Sequence, residues 1–311
     1  MSPARRRALG ALAVVLVLGL ALLAWRPGVV LEAEFARQRL AASAQVQAVQ
    51  AAGHRWSVLA AGPEAAPLVV LVHGFTGSKE NWLPLMAELR HGHRVLAPDL
   101  PGWNASQRID GEDYGVVAQS MRLEAWLDAD GRQPAMLVGH SMGGHIVGLL
   151  AARRPDLAPR VVLMSSAGVE FQANEFGRAV LDGDNPFAVH SRADLHRQLE
   201  LVFEDPPFLP WPADRALAQR RAAAADFESE VLERIGRGAE AYALQPLLPS
   251  IRQPVLLLWC RNDRVIDVSA ADIMAEALPD ARKRVLEGCG HMPLMESPDA
   301  VARALRAFLG E

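Results

Sequence analysis

The sequence predicts an α/β protein in which helices flank a mostly parallel sheet, a helical lid interrupts it, and one transmembrane helix precedes it. Strand and helix patterns alternate over residues 54–168 and again over residues 247–311, as in a parallel sheet covered by helices. Residues 169–246 between these two parts carry proline-punctuated helix patterns and no strand pattern. Such an insertion is typical of a lid over a site, and an ordinary helical elaboration is the alternative.

Composition narrows the class of protein. The chain has 311 residues, of which 50% are hydrophobic and 22% charged, with a net charge of −4. These values are ordinary for a globular protein with a sizeable core, and they offer no basic surface for nucleic acid. The two cysteines, Cys260 and Cys289, form no CxxC pair and lack the spacing of zinc ligands. We expect neither metal nor cofactor. The oligomeric state stays open, a homodimer included.

Residues 1–26 are predicted to anchor the chain in a membrane. Three arginines at 5–7 precede "ALGALAVVLVLGLALLAW" (residues 8–25), which carries no charge. A helix of this length covers roughly 27 Å, close to the hydrocarbon thickness of a bilayer. A cleaved signal peptide is the alternative, but its apolar region is shorter and ends at a small-residue site, whereas this run ends in Trp-Arg-Pro at 25–27. The arginines favour a cytoplasmic N-terminus, which places the remaining chain on the periplasmic side of the inner membrane.

The elements after the anchor follow from their apolar patterns. Residues 27–53 predict a juxtamembrane helix, with Leu31, Phe35 and Leu40 at weak amphipathic spacing. The predicted strands are "RWSVLAA", "PLVVLVHG", "HRVLAPDLPG", "PAMLVGH" and "RVVLMSSAG" before the lid, and "PVLLLWC" and "KRVLEG" after it. The predicted helices are "DYGVVAQSMRLEAWLDAD", "GGHIVGLLAARRP", "SAADIMAEAL" and "DAVARALRAFL", with "ADLHRQLELVFED" inside the lid. The continuous apolar run in "PLVVLVHG" is typical of a strand buried on both faces.

A serine stands at one corner between a strand and a helix, in "LVGHSMGGHIVGLL" (residues 137–150). Ser141 lies between Gly139 and Gly143, which relieve the crowding of a strained backbone. The corner holds the hydroxyl clear of the sheet, beside a helix N-terminus that favours negative charge. This context favours a nucleophile over a simple turn residue.

A serine hydroxyl needs a base, and the base needs an orienting acid. In a strand-serine-helix arrangement these partners follow in the order acid, then histidine, each after a later strand. His291, between Gly290 and Pro293, is the only histidine after the lid and follows the last predicted strand. Asp263 directly follows the preceding strand and is the preferred acid. Asp267 is the alternative, although its position better fits the cap of the next helix.

The oxyanion formed during acyl transfer needs two backbone donors. One is expected from Met142, the residue after the serine, and the other from the loop after an earlier strand. In "VHGFTGS" that donor is the N–H group of Phe75.

The segments "HGFTGSKENW", "DLPGWNAS", "GHSMGG", "WCRNDRVIDVS" and "GCGHMPLMESP" resemble the α/β-hydrolase superfamily. The resemblance is strongest to the branch that holds monoacylglycerol lipases and bacterial membrane-anchored esterases and phospholipases A1. It covers residues 55–310 and is weakest in the lid. It implies an α/β-hydrolase fold and these roles: Ser141 as nucleophile, Asp263 as acid, His291 as base, and Phe75 and Met142 as oxyanion donors.

One position departs from the resemblance, because relatives commonly carry glycine where this chain has Cys260. Cys260 and Cys289 follow the last two predicted strands, whose spacing of about 4.8 Å lies within reach of a disulfide. Bridge geometry could displace His291 from its serine. Two small buried thiols are therefore the favoured interpretation, and a disulfide is the alternative.

The predicted function is hydrolysis of a carboxylic ester of a lipid, because an anchor holds the site at the surface where lipids are concentrated. The candidates are a lipase, a phospholipase A and a monoacylglycerol lipase. Dehalogenases and epoxide hydrolases of this fold use aspartate where this chain has Ser141. The alternatives are a carbon–carbon bond hydrolase, an acyltransferase, and a non-catalytic ligand-binding protein, which would predict a broken triad.

Overall fold

Eight strands form one sheet in the computed structural model, which describes residues 2, 3, 5–7, 9, 12, 13, 19 and 25–311. The strands are β1 (Gln45–Ala51), β2 (His54–Ala61), β3 (Leu68–Val72), β4 (Arg94–Pro98), β5 (Met136–His140), β6 (Val161–Met164), β7 (Val255–Cys260) and β8 (Ala281–Leu286). Their spatial order is β1-β2-β4-β3-β5-β6-β7-β8. The pairs β1–β2 and β2–β4 are antiparallel and the other five are parallel. The mostly parallel sheet with flanking helices confirms the α/β part of the predicted fold class.

Helices occupy the connections between the strands. They are α1 (Gly28–Ala41), α2 (Leu83–Leu89), α3 (Val116–Asp130), α4 (Met142–Arg153), α5 (Glu175–Asp182), α6 (Arg192–Val202), α7 (Ala213–Ala222), α8 (Ala225–Gly236), α9 (Ser269–Ala277), α10 (Pro293–Glu296) and α11 (Pro298–Leu309), with 3₁₀ helices at Lys79–Trp82 and Gln245–Ser250. The four helices α5–α8 lie between β6 and β7, inside the range 169–246 predicted as the lid. The name lid denotes this helical segment, residues 169–246, by its place in the chain.

The central strands are apolar throughout because helices cover both of their faces. Along β3, Val70 and Val72 belong to the core beneath α3 and α4, whereas Val69 and Leu71 belong to the core beneath α2 and α11. All five residues of β3 are buried. Successive side chains of a strand point to opposite faces, so a strand covered on both faces needs an apolar residue at every position. The run "PLVVLVHG" was correctly predicted on this ground.

The predicted helix over residues 27–53 is wrong beyond Ala41. Residues 45–51 form β1, which pairs with β2 from Gln45↔Ala60 to Ala51↔His54. Ala52 and Gly53, with φ angles of 50° and 74°, close the hairpin as the two central residues of a tight turn. β1 lies at the edge of the sheet and is largely exposed. An edge strand gains its backbone hydrogen bonds from one neighbour and needs no continuous apolar face, so its apolar pattern is weak.

The predicted membrane span, residues 8–25, lies largely outside the described residues. Only residues 9, 12, 13, 19 and 25 of it are described. In the part of the chain that the structure describes, no helix combines the length and the apolar character needed to cross a bilayer.

Helix α1 packs on the lid rather than standing apart from the domain. Leu31 forms a small apolar cluster with Ala213 and Ala216 of α7. At its other end, Arg39 donates to the Glu80 carboxylate at 2.6 Å. The helix therefore connects the lid to the loop that follows β3.

Cys260 and Cys289 are joined by a disulfide, with their Cα atoms 5.4 Å apart. The favoured expectation of two free thiols was wrong. The reason lies in the strand register: β7 and β8 are parallel neighbours with Cys260 opposite Leu286, and both sulfurs enter the same core. After β8 the chain brings Cys289 to Cys260, and only Gly290 separates Cys289 from His291.

We expect that neither cysteine of the denatured, unreduced protein reacts with an alkylating reagent, because both sulfurs are held in the bridge. Replacing both cysteines with alanine should lower the free energy of unfolding by about 3–4 kcal/mol, because the bridge closes a loop of 29 residues and restricts the unfolded chain. Urea unfolding of the two proteins measures the difference. Two alkylated cysteines per chain would contradict the bridge.

Candidate active site

Ser141 occupies a strained backbone position between β5 and α4. Its φ and ψ angles are 54° and −119°, a region that side-chain-bearing residues rarely adopt. Close packing explains the flanking glycines. A Cβ atom on Gly139 would lie 2.2 Å from the Gly143 oxygen, and a Cβ atom on Gly143 would lie 2.2 Å from the Val72 oxygen. Only glycines allow α4 to begin this close to β3 and β5.

The loop after β3 passes directly beside the serine. A Cβ atom on Gly74 would lie 2.9 Å from the Ser141 Cβ atom. Within residues 25–311, the N–H groups of Phe75 and Met142 donate to no protein acceptor. Met142 is the first residue of α4, where a helix leaves its N–H groups without intrahelical partners. These two donors are therefore available to an oxygen atom of a ligand beside Ser141.

Asp263 and His291 meet in the interior. The His291 Nδ1–H group donates to the Asp263 carboxylate, at 2.8 Å to Oδ2 and 3.0 Å to Oδ1. Oδ1 also accepts from the N–H groups of Val265 and Ile266. These bonds fix the carboxylate and leave Nε2 as the ring atom that can take a proton.

Asp267 lies elsewhere and accepts from the Ser269 N–H group at 2.9 Å at the start of α9. The structure therefore brings Asp263, and not Asp267, to His291.

Ser141 and His291 line the same groove. Among the described residues, the Ser141 hydroxyl makes no hydrogen bond to His291. Catalytic hydrogen bonds are often formed only when substrate is bound, so the shared groove is the relevant geometry.

His140 positions the loop that carries His291, a contact that sequence reasoning missed. Its Nε2–H group donates to the His291 carbonyl at 2.7 Å. Burial lowers the pKa of His140 well below 6.5, so the ring is neutral at pH 7. The residue stands beside Ser141 in "GHSMGG", but nothing in the sequence indicated a bond to a residue 151 positions away.

His73 fixes the loop of Phe75 in a similar way. Its Nε2 accepts from the Leu100 N–H group at 3.0 Å, so Nδ1 carries the proton and donates to the Gly74 carbonyl at 2.8 Å. Burial lowers the pKa of His73 as well.

Two cavities meet at the serine. A groove of about 790 Å³ runs from Ser141 between α1 and the lid and reaches Phe35, Leu199 and Phe208. A smaller apolar chamber of about 100 Å³ lies between Ser141 and the lid helices α5 and α8. The larger volume is within the range of small-molecule sites. Among the described residues, no three His, Cys, Asp or Glu side chains gather as a metal site requires.

The α/β hydrolase fold family matches residues 67–298 of the chain. A sheet that is parallel apart from its first strands, a serine at the corner between β5 and α4, and an Asp–His pair after β7 and β8 agree with this match. The chain belongs to the α/β-hydrolase family.

Relatives and solved structures narrow the resemblance. Lipase 1 of Psychrobacter immobilis is 30% identical over 251 residues, which span 79% of this chain and 78% of the relative. The monoacylglycerol lipase ABHD6 of Mus musculus is 26% identical over 257 residues, 79% of this chain and 76% of that one. The crystal structure of a membrane phospholipase A, described as a bacterial virulence factor, superposes with a TM-score of 0.89 at 34% identity, covering 98% of both chains.

The buried histidines predict an acid-sensitive fold. Burial lowers the pKa of His145 from 6.5 to about 3, and those of His73 and His140 also lie below 6.5. Below pH 6.5, therefore, these three histidines bind protons in the unfolded chain but stay unprotonated in the folded chain. The stability contributed by each neutral ring is complete above pH 6.5 and falls as the pH drops toward its folded pKa, by about 1.4 kcal/mol per pH unit.

His145→Leu should reduce the pH dependence of the unfolding free energy below pH 6.5 by about 1.4 kcal/mol per pH unit. Urea unfolding between pH 4.5 and pH 7 measures it. His196→Leu is the control, because it removes an imidazole from an exposed position of α6. Its effect on the pH dependence of the unfolding free energy is the baseline for His145→Leu. An unchanged slope in His145→Leu would contradict the assignment of a neutral buried ring.

Proposed function

We propose that this protein is a membrane-anchored serine hydrolase that cleaves carboxylic esters of lipids through an acyl-enzyme on Ser141. The protein is a carboxylic ester hydrolase of the α/β-hydrolase family. The observation that carries the mechanism is the buried Asp263–His291 pair, whose histidine lines the same groove as the strained serine. Neither metal nor cofactor is needed for this chemistry.

The reaction has two halves. The Ser141 oxygen attacks the ester carbonyl carbon while His291 Nε2 takes the hydroxyl proton, and the carbonyl oxygen becomes an anion. The N–H groups of Phe75 and Met142 donate to that oxygen. The C–O bond to the alcohol then breaks, and His291 returns its proton to the alcohol oxygen. In the second half a water molecule gives a proton to His291 Nε2 and attacks the carbonyl carbon of the acyl-serine. The bond between that carbon and the Ser141 oxygen then breaks, His291 returns the proton to the Ser141 oxygen, and the carboxylic acid leaves. Asp263 stabilises the imidazolium throughout.

The lining of the groove supports a lipid substrate. Phe35 of α1 and Leu199 of α6 face it from two sides, and Phe208, 87% exposed, stands at its rim. The small apolar chamber on the other side of Ser141 gives a hydrocarbon chain a second place to enter. The proposed substrates are monoacylglycerols and phospholipids, in accordance with the relatives named above.

We place the catalytic domain at a membrane surface on the periplasmic side of the inner membrane. The support is the uncharged run at residues 8–25 behind three arginines, together with the similarity to a membrane phospholipase A over nearly the whole chain. Helix α1, which starts three residues after this run, forms one wall of the groove. An anchor at residues 8–25 would therefore keep the groove close to the bilayer.

Ser141→Ala and His291→Ala should each lower kcat on a soluble short-chain ester on the order of 10⁶-fold, and the double variant should lose little more because the triad acts as a unit. A fluorophosphonate should label wild type at Ser141 alone. Full activity in Ser141→Ala, or labelling at another residue, would contradict the proposed mechanism.

The acid is tested separately by a matched pair. Asp263→Asn should lower kcat by about 10⁴-fold. Asp267→Asn changes a carboxylate that accepts from the Ser269 N–H group at the start of α9, and it should leave most of the activity. The reverse result would assign the acid to Asp267.

A panel of short and long esters, monoacylglycerols and phospholipids, run on wild type and Ser141→Ala, identifies the substrate.

Deleting residues 1–26 should release the protein from the membrane fraction without loss of activity on soluble esters, because α1 and all of the proposed catalytic residues follow residue 26. Its rate on lipids in vesicles should fall, since the groove is no longer held at their surface. Fractionation and the two assays measure these changes.

A reporter fused after residue 311 should report the periplasmic side, and a cytoplasmic signal would contradict the topology. A mature chain that begins after residue 26 would show a cleaved signal peptide.

A further inference from the structure

The lid continues directly into contacts with both catalytic loops. After α6 ends at Val202, the Val202 carbonyl accepts from the His291 N–H group at 2.8 Å. The next carbonyl, that of Phe203, accepts from the Arg264 guanidinium at 2.7 Å, beside Asp263. Segment 202–204 of the lid therefore contacts both the loop that carries Asp263 and the loop that carries His291.

The Glu296 carboxylate joins this segment to the base loop. Its Oε2 atom accepts from the Glu204 N–H group at 2.9 Å. The Gly290 N–H group donates to Oε1 at 2.9 Å and to Oε2 at 3.0 Å. One carboxylate thus holds a lid backbone group and the backbone group immediately before His291.

The fit around this carboxylate is tight. A Cβ atom on Gly290 would lie 2.8 Å from the Glu204 nitrogen, so the two backbones approach more closely than any other residue at 290 would permit. Glu296 ends the four-residue helix α10, which starts two residues after His291. The base is therefore held from both sides along the chain, by Glu296 after it and by the disulfide at Cys289 before it.

The surroundings of the Glu296 carboxylate disfavour its charge on balance. Partial burial is the largest cause and raises the pKa of Glu296. The hydrogen bonds from the backbone groups of Glu204, Gly290 and Met292 lower this pKa, and the nearby Glu204 carboxylate raises it. The folded state therefore disfavours the ionised form. A glutamine of the same shape avoids this penalty, but one of its two terminal atoms is an NH₂ group, which cannot accept from the Gly290 N–H group. The carboxylate is the side chain that can accept through both of its terminal atoms.

We propose that Glu296 is a positioning residue for His291. It ties segment 202–204 of the lid to Gly290 and so fixes the distance between the His291 ring and Ser141. This inference rests on the proposed function, because it assigns a purpose to the position of the base.

The test compares Glu296→Gln with Glu296→Asp. Glutamine keeps the length and loses one acceptor, whereas aspartate keeps the charge and is one methylene too short to reach both N–H groups. Each should lower kcat on a soluble short-chain ester, and the rate of Ser141 labelling by a fluorophosphonate, on the order of 10-fold to 100-fold, because displacements of about 1 Å at a catalytic group have effects of this size. KM should stay within about 2-fold, since Glu296 lies outside the groove lining.

Glu287→Gln is the matched control. Glu287 precedes the same loop, is exposed, and pairs with Arg261 on the surface, so its replacement should leave kcat and the labelling rate unchanged. The midpoint of thermal unfolding separates positioning from loss of fold: Glu296→Gln should unfold close to the wild-type temperature, because it removes a half-buried charge and one hydrogen-bond acceptor together.

Wild-type kcat in either folded Glu296 variant overturns the proposal, and so does a loss of rate that only follows a lowered unfolding temperature. Ser141→Ala distinguishes this failure from failure of the proposed function. If Ser141→Ala is inactive while Glu296→Gln is fully active, the positioning role alone is wrong. If Ser141→Ala is active, the mechanism itself is wrong.

Discussion

The first turn of α4 and the ends of β3 and β5 meet at the Ser141 corner with no room for a side chain between their backbones. Gly139 and Gly143 satisfy this constraint, since a Cβ atom on either would lie 2.2 Å from a carbonyl oxygen. Because the helix starts so close to the sheet, Ser141 takes a positive φ angle and its hydroxyl faces the groove. The remaining features of the site are arranged around that fixed point: the loop of Phe75 on one side, and the loops of Asp263 and His291 on the other.

The elements that could be predicted from the sequence are those whose burial or order along the chain leaves a pattern in it. The buried strands could be predicted because burial on two faces forces an apolar residue at every position of β3, and the order of Ser141, Asp263 and His291 follows from where parallel strands end. Strand β1 could not be predicted, because an exposed edge strand does not need an apolar residue at every position. The disulfide depends on the register between β7 and β8, and the bond from His140 to the His291 carbonyl depends on how a loop folds back. Local sequence specifies neither. The catalytic roles themselves stay predictions until variants are assayed.

Ion pairs join α1 to the loop beside the serine, and three of the four charged side chains, Lys79, Glu80 and Asp99, are buried. Arg39 of α1 pairs with Glu80, and Lys79 pairs with Glu80 and with Asp99 at 3.2 and 2.6 Å. Taking such charges out of water is expensive, and the removal of one partner leaves the others uncompensated. The chain therefore fixes α1 relative to the turn that follows Phe75. One wall of the groove is thus tied to the loop of the oxyanion donor by ion pairs, and it also packs on the lid, which contributes the opposite wall.

The bond from the His291 N–H group to the Val202 carbonyl has a consequence for engineering and for divergence within the family. A lid that supplies a backbone acceptor to the catalytic histidine is not an interchangeable module. A chimera that receives the lid of a relative also receives a new support for the base, so selectivity and turnover change together. Lid exchanges that keep the backbone path at the end of α6, and vary only the helices before and after it, are the ones that can alter substrate choice alone.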